Sequence, residues 1–238
     1  MGLPKLNTPT YELTIPSTGK TVAYRPYLVK EEKILMLALE SGDERQMIRA
    51  IRDVISACTN DEIDMNRIAM SDMEYIFTQL RSKSVGETVQ IGMKCSECEA
   101  SNETELNLEN VRVSSPEDIS DTIELTDTIG VKMKYPSVDK VLNSTNDNNE
   151  NVSTVDRIFD LLIDCIDSIY SGEELFDAST QPRKEITEFI DSLNAEQFTR
   201  VRRFVENIPT AQIDVSFKCK ECGHNNDSVL RGLANFFG

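Results

Sequence analysis

The sequence predicts an α+β protein organised around a zinc-ribbon-like metal module, and three observations predict it. Two Cys-x-x-Cys pairs, Cys95 with Cys98 and Cys219 with Cys222, stand far apart in the chain. Period-2 alternation runs into each pair, through Val89, Ile91 and Met93 in one copy and Ile213, Val215 and Phe217 in the other. Helical apolar spacing fills the stretches before and between the two copies. Four thiolates in two such pairs suit a tetrahedral ion, because a two-residue spacer lets both sulfurs of one turn face the same centre. The expected module is a pair of distant β-hairpins, each carrying half a metal site at its tip, with helical blocks packed before and between them. Downstream the copies keep register, Asn102 with Asn226 and Leu106 with Leu230.

The chain opens extended. Tyr11 to Ile15 alternates, Pro16-Ser17-Thr18-Gly19 supplies a turn, and Lys20 to Tyr24 alternates again, which reads as a hairpin. Arg25-Pro26-Tyr27-Leu28 leads into a helix whose broad apolar face holds Ile34, Leu35, Leu37, Ala38 and Leu39 and which Ser41-Gly42 closes. Asp43 caps a second helix, with Met47, Ile48, Ile51, Val54, Ile55 and Cys58 at helical spacing. Ser71 to Glu74 has the form of a capping box for a third helix through Tyr75, Ile76, Phe77 and Leu80. Met36, Met47, Met65, Met70 and Met73 read as core filler rather than as an adaptable binding surface.

After the first knuckle, Glu103 to Leu108 returns as a strand. Ile123 to Leu125 and Val131 to Tyr135 alternate on either side of a turn at Thr126 to Gly130. Ser137 can cap a short helix through Val138, Val141 and Leu142. Ser144 to Asn151 holds no apolar residue and reads as a flexible loop. Ser153 or Thr154 then caps an amphipathic helix from Val155 to Ile169, followed by a loop from Tyr170 to Thr180. Asp156, Asp160, Asp164 and Asp167 read as a solvated face, since no Asp-rich loop with a glycine turn accompanies them. Helices over Lys184 to Leu193 and Glu196 to Ile208 follow, the latter capped by Asn194. The expected division is residues 1–84 (hairpin plus helices), 85–108 with 211–238 (the discontinuous metal module), 109–145 (β-rich connector), 146–152 (flexible loop) and 153–210 (helical insertion).

Composition narrows the function. Forty-one acidic residues against 25 basic ones give a formal charge of −16 in 238 residues, a field that repels phosphate backbones and argues against a general nucleic-acid role. No apolar run approaches the roughly 20 residues needed to cross a bilayer. The first residues, MGLPKLNTPTYEL, lack the apolar core of a signal peptide, so a reducing cytoplasm is the expected compartment and structural disulfides are disfavoured there. Redox dithiols, disulfides and coincidence are the alternatives to a shared structural metal. A thioredoxin-type pair opens a helix, whereas these pairs follow strands. Zinc is the expected metal, and iron has the same ligand spacing. His224, the single histidine, reads as a polar loop residue, and Cys58 and Cys165 as buried small hydrophobes.

There is no Gly-rich phosphate loop, no His-Glu-x-x-His and no Gly-x-Ser-x-Gly elbow. If Cys95, Cys98, Cys219 and Cys222 all bind the ion, no position stays open for a catalytic water, so an enzyme is not expected. Closing a long loop costs about 0.6 kcal/mol per doubling of its length, and a structural zinc worth roughly 10 kcal/mol or more would hold it shut.

Leu3 to Leu13, followed by Tyr24-Arg25-Pro26-Tyr27-Leu28-Val29-Lys30-Glu31-Glu32-Lys33-Ile34-Leu35, resembles the baseplate protein family of T-even-like contractile-tailed bacteriophages. The similarity is strongest over residues 3–40, with the two knuckles as supporting marks. Members are described as baseplate hub subunits or hub assembly factors. The resemblance implies a late viral protein that works by contact with other baseplate hub and tail proteins, without membrane or nucleic acid. It would act in the host cytoplasm during assembly and sit in the virion tail baseplate if retained. Expected contact residues are Arg25 and Tyr27 at the strand-to-helix junction and the apolar tail residues Leu233, Phe236 and Phe237. Rival readings are a transient hub-assembly chaperone absent from the virion, a zinc-ribbon adaptor of transcription or replication, and, more distantly, a metal-dependent hydrolase. Homo-oligomerisation is left open.

Overall fold

The computed structural model describes residues 6–114, 120–140 and 154–232. It is α+β, as predicted. The chain forms two compact units, residues 1–114 with 210–238, and residues 115–209.

In the first unit, β1 (Tyr11–Thr14) and β2 (Thr21–Tyr24) make the expected antiparallel hairpin, with Leu13 opposite Val22 on its buried face. Helices α1 (Val29–Ser41), α2 (Glu44–Cys58) and α3 (Met70–Ser84) follow. Gly42 ends α1 in the left-handed region at φ 64°, and the Asp43 carboxylate accepts the Arg45 N–H to start α2. The apolar positions of α2 do go inside: Ile48, Ile51, Val54, Ile55 and Cys58 are buried, each large side chain contributing about 1.5–3 kcal/mol by leaving water.

One reading of this unit needs correction: Ser71 does not cap α3. The helix begins one residue earlier, behind an extended Ala69, and Ser71 and Asp72 lie in its first turn. The Asp72 carboxylate instead accepts the N–H and hydroxyl of Ser17, a long-range partner that no local pattern reveals. The broad apolar face of α1 stays largely in solvent. Its main packing partner is α2, so it buries Glu31 and Ala38 and leaves Val29, Ile34, Met36, Leu37 and Leu39 exposed, Val29 at 79% and Leu39 at 64%. Met73 is core filler as expected, whereas Met36 is on the surface.

The cysteine-bearing module comprises two hairpins. Strands β3 (Thr88–Lys94) and β4 (Ser101–Asn107) pair antiparallel, and a 3-10 turn (Leu108–Asn110) leads to β5 (Arg112–Val113). Strands β10 (Ala211–Lys218) and β11 (Asn225–Arg231) form the second hairpin, and β10 also pairs with β5. Beneath them α3 packs Met73, Ile76, Phe77 and Leu80, all essentially solvent-free, in a core that takes in Leu108, Ala211 and Ile213.

The second unit contains a four-stranded antiparallel sheet in the order β6 (Thr122–Glu124), β7 (Ile129–Met133), β8 (Ile166–Ser171), β9 (Glu174–Asp177). Helices α4 (Thr154–Asp164), α5 (Arg183–Asp191) and α6 (Ala195–Glu206) pack around a core of Val131, Met133, Leu162, Ile166, Ile190, Val201 and Phe204. Asn194 caps α6, as predicted, and Gln197 completes a capping box with it. The helix expected to reach Ile169 stops at Asp164, and the loop expected over Tyr170 to Thr180 holds the end of β8, the turn and strand β9. Ile166 and Ile169 suit helical spacing. Ile169 nevertheless stands between Val131 and Phe176 in a strand ladder, and sheet packing overrides the local pattern. Gly130, read as a turn residue, lies within β7, where a Cβ would collide with the Tyr170 hydroxyl and meet the Ile123 carbonyl at 2.7 Å. The flexible loop expected at 146–152 lies outside the described residues.

Candidate metal centre

Each knuckle is built by the end of a hairpin. In the first, the Cys95 N–H donates to the Ala100 carbonyl at 3.0 Å and the Glu99 N–H to the Cys95 carbonyl at 2.9 Å. In the second, the Cys219 N–H donates to the His224 carbonyl at 2.8 Å and the Gly223 N–H to the Cys219 carbonyl at 3.0 Å. The residue after the second cysteine must turn left-handed in both, Glu99 at φ 59° and Gly223 at φ 75°. Glycine adopts that conformation freely and glutamate does not.

The two tips meet. Cys95 Sγ lies 3.7 Å from Cys222 Sγ, and Cys98 Sγ lies 3.6 Å from Cys219 Sγ. All four sulfurs fall within 4.8 Å of one another. Four sulfurs at about 2.3 Å from a tetrahedral ion stand about 3.8 Å apart, so the spacing fits a tetrathiolate and is too long for disulfides. Cys95 and Cys219 are buried, while Cys98 and Cys222 are exposed. Among the described residues, these cysteines are the one cluster of three or more histidine, cysteine or acidic donors close enough to hold an ion.

The electrostatics point the same way. The Cys98 N–H, opposed by burial and helped by the Glu97 N–H and Asn226, holds the Cys95 thiol below its ordinary value. The Cys222 N–H, likewise opposed by burial and helped by the Glu221 N–H, pulls Cys219 down to about 6. At Cys98 the Ala100 N–H lowers the value, but Cys222, burial and the remaining sulfurs outweigh it and push it to about 12. At Cys222 the His224 N–H and Cys98 lower the value, and burial with Cys219 and Cys95 outweighs them, leaving it raised. Two thiols are therefore biased toward ionising while their neighbours resist it beside them. A cation in the middle relieves that conflict and lets all four ionise.

Other predicted residues fall elsewhere. His224 is exposed and takes part through its backbone carbonyl. Cys58 and Cys165 are fully buried, and burial raises their thiols to about 11 and about 12. Of the aspartates, Asp160 and Asp164 pair with Arg183, Asp164 also with Lys140, and Asp167 with Lys134. The Arg25 guanidinium is spent internally, on Glu31 at 2.9 Å and on the Pro26 and Ala57 carbonyls at 3.0 and 3.2 Å. Tyr27 is half-buried and its N–H donates to the Ser84 hydroxyl. Leu233, Phe236 and Phe237 lie outside the described residues. Two side chains that reach the sulfurs were not singled out as site residues, Asn102 and Asn226. Their mark in the sequence is an equal offset, four residues after the second cysteine of each pair.

Comparison with known proteins bears out the resemblance read from the N-terminal segment. The family described as T4 bacteriophage base plate protein matches residues 8–238. The chain is 25% identical over 228 residues to the protein of Enterobacteria phage T4 named Baseplate hub assembly protein gp26, a stretch covering 95% of this chain and 97% of that one. No solved structure matches the chain.

Proposed function

Because the chain belongs to the T4 bacteriophage base plate protein family, we propose that it serves assembly of a contractile-tail baseplate hub through protein–protein contacts, on a scaffold tied together by a structural zinc. The observation that carries the assembly role is alignment along nearly the whole length of both chains with a protein named for hub assembly. Its partners are other baseplate proteins. The reading is non-enzymatic: four sulfur donors complete a tetrahedron and leave no position for a reacting water. Zinc is preferred to iron because it has no redox chemistry and four-coordinate thiolate sites suit it as a purely structural ion.

Helix α1 is the contact surface we assign. Neighbouring apolar side chains left exposed mark a contact site, and α1 leaves Val29, Met36, Leu37 and Leu39 in solvent. An apolar face of a hub protein is its occupant. Arg25 and Glu31 anchor the start of this helix, and Tyr27 borders it. The tail residues Leu233, Phe236 and Phe237 are a second proposed contact.

The test is complementation of a phage lacking this protein with a Met36→Ser, Leu39→Ser variant. Loss of hubs with an unchanged circular dichroism spectrum supports the assignment, and normal hubs oppose it. Light scattering of the purified wild type shows whether a second copy covers the helix instead. Mass spectrometry of finished particles separates a retained subunit from a factor that leaves. Nucleic-acid binding at low salt would point to the adaptor reading.

A further inference from the structure

We propose that Asn102 and Asn226 are positioning residues of the thiol cluster, each orienting the first cysteine of the opposite knuckle. Asn102 sits on β4, one strand residue beyond the first knuckle, and is 2% exposed. Its Nδ2 donates to the Ala100 carbonyl of its own knuckle at 2.9 Å and to Cys219 Sγ of the other at 3.6 Å. Its Oδ1 accepts the Lys220 N–H at 2.9 Å, so the residue after Cys219 is held as well. Asn226 on β11 repeats this in reverse. Its Nδ2 donates to His224 O at 3.2 Å and to Cys95 Sγ at 3.6 Å, and its Oδ1 accepts the Ser96 N–H at 2.8 Å and hydroxyl at 2.9 Å.

The chemistry requires an amide at both places. A backbone N–H can only donate, so the group facing Lys220 and Ser96 must be an acceptor. A sulfur carrying negative charge wants a donor, and the group facing Cys219 and Cys95 must supply one. Asparagine offers both on one short, planar side chain. Both amides are buried with each polar end partnered, which rigidifies the pair. The donor reaches the buried sulfur of each pair, Cys95 or Cys219, where no water can substitute. The equal offset of the two asparagines from their knuckles thus encodes a crossed clasp: each hairpin holds the other's ligand. Outer contacts of this kind are typically worth about 10–100-fold in metal affinity.

This proposal rests on the metal reading, and the experiment separates the two. Full-length reduced protein is titrated with Co²⁺ alone, then Zn²⁺ in competition, for the wild type and for Asn102→Ala, Asn102→Asp, Asn226→Ala and Asn226→Asp. The wild type should give the visible spectrum of a tetrahedral thiolate site, and its absence overturns the metal reading itself. Each variant should bind about 10–100-fold more weakly. The aspartates divide the two ends of the amide: they keep the acceptor that holds Lys220 or Ser96 and lose the donor to the sulfur and to the knuckle carbonyl, so a role limited to the acceptor predicts wild-type affinity for them. Alkylation with mass-spectrometric readout adds a signature that reads through any loss of stability. Changing Asn102 should speed labelling of Cys219 relative to Cys95, and changing Asn226 should do the opposite. Unaltered affinity in a wild type that binds metal, or labelling that rises in the altered residue's own knuckle, overturns the clasp.

Discussion

Replacing Glu31 by Gln tests what anchors the start of α1. The Glu31 side chain is 4% exposed and accepts from Arg25 and from the Leu28 N–H, both at 2.9 Å, with Lys30 at 3.2 Å. Lys30 is 70% exposed and adds little. Breaking a fully buried pair costs about 3–5 kcal/mol, because a charge is left without its partner. Arg25 is 20% exposed and keeps the Pro26 and Ala57 carbonyls, so the loss should be about 2–3 kcal/mol. Urea unfolding of the metal-loaded protein measures it. The pH dependence provides a second reading. Burial raises the Glu31 carboxyl, but Arg25, the Leu28 N–H and Lys30 outweigh it and hold it below the ordinary range. The native state therefore binds fewer protons. The stabilisation is present above the unfolded carboxylate value and disappears as pH falls through the depressed native one. Glu31→Gln should be less stable at neutral pH and lose less on acidification. A cost under about 0.5 kcal/mol, or an acid limb like that of the wild type, would refute this role for the pair.

Three further outcomes follow from particular geometries. Glu99→Gly should stabilise the first knuckle by about 0.5–1 kcal/mol in thermal unfolding, since it removes a left-handed glutamate, less the entropy that glycine loses on folding. A lower melting temperature would contradict the strain. Gly130→Ala should cost about 1–3 kcal/mol by overpacking, because the new carbon meets a backbone carbonyl as well as Tyr170, while Co²⁺ affinity stays unchanged. Native Cys58 and Cys165 should resist alkylation at mildly alkaline pH, burial holding both thiols protonated, and react only on unfolding. Labelling at the rate of a free thiol would show that they are not enclosed.

The knuckles were legible because their signal is doubly local: strand alternation runs straight into a two-residue spacer, and the pattern occurs twice. Caps at Asp43 and Asn194 were legible for a similar reason, each lying within three residues of the N–H it accepts. Ser71 misled because its fit to a capping box says nothing of Ser17, which claims the neighbouring Asp72 from fifty-five positions before it. Ile166 and Ile169 misled because i, i+3 spacing is compatible with a helix until the partner strands are known. In α1 the apolar residues fall on a helix as their spacing predicts, but spacing does not say whether they are buried. The sequence marks hydrophobicity, and what covers it is decided by neighbours. The asparagines were visible as a repeat, yet nothing in a linear pattern says that each serves the other copy.

X-ray absorption at the metal edge of protein purified under reducing conditions, with elemental analysis of the same sample, tests the scaffold most directly. One zinc per chain surrounded by four sulfurs at about 2.3 Å is the expected result. Protein that folds and supports hub assembly without metal, or a shell containing nitrogen or oxygen donors, would contradict it.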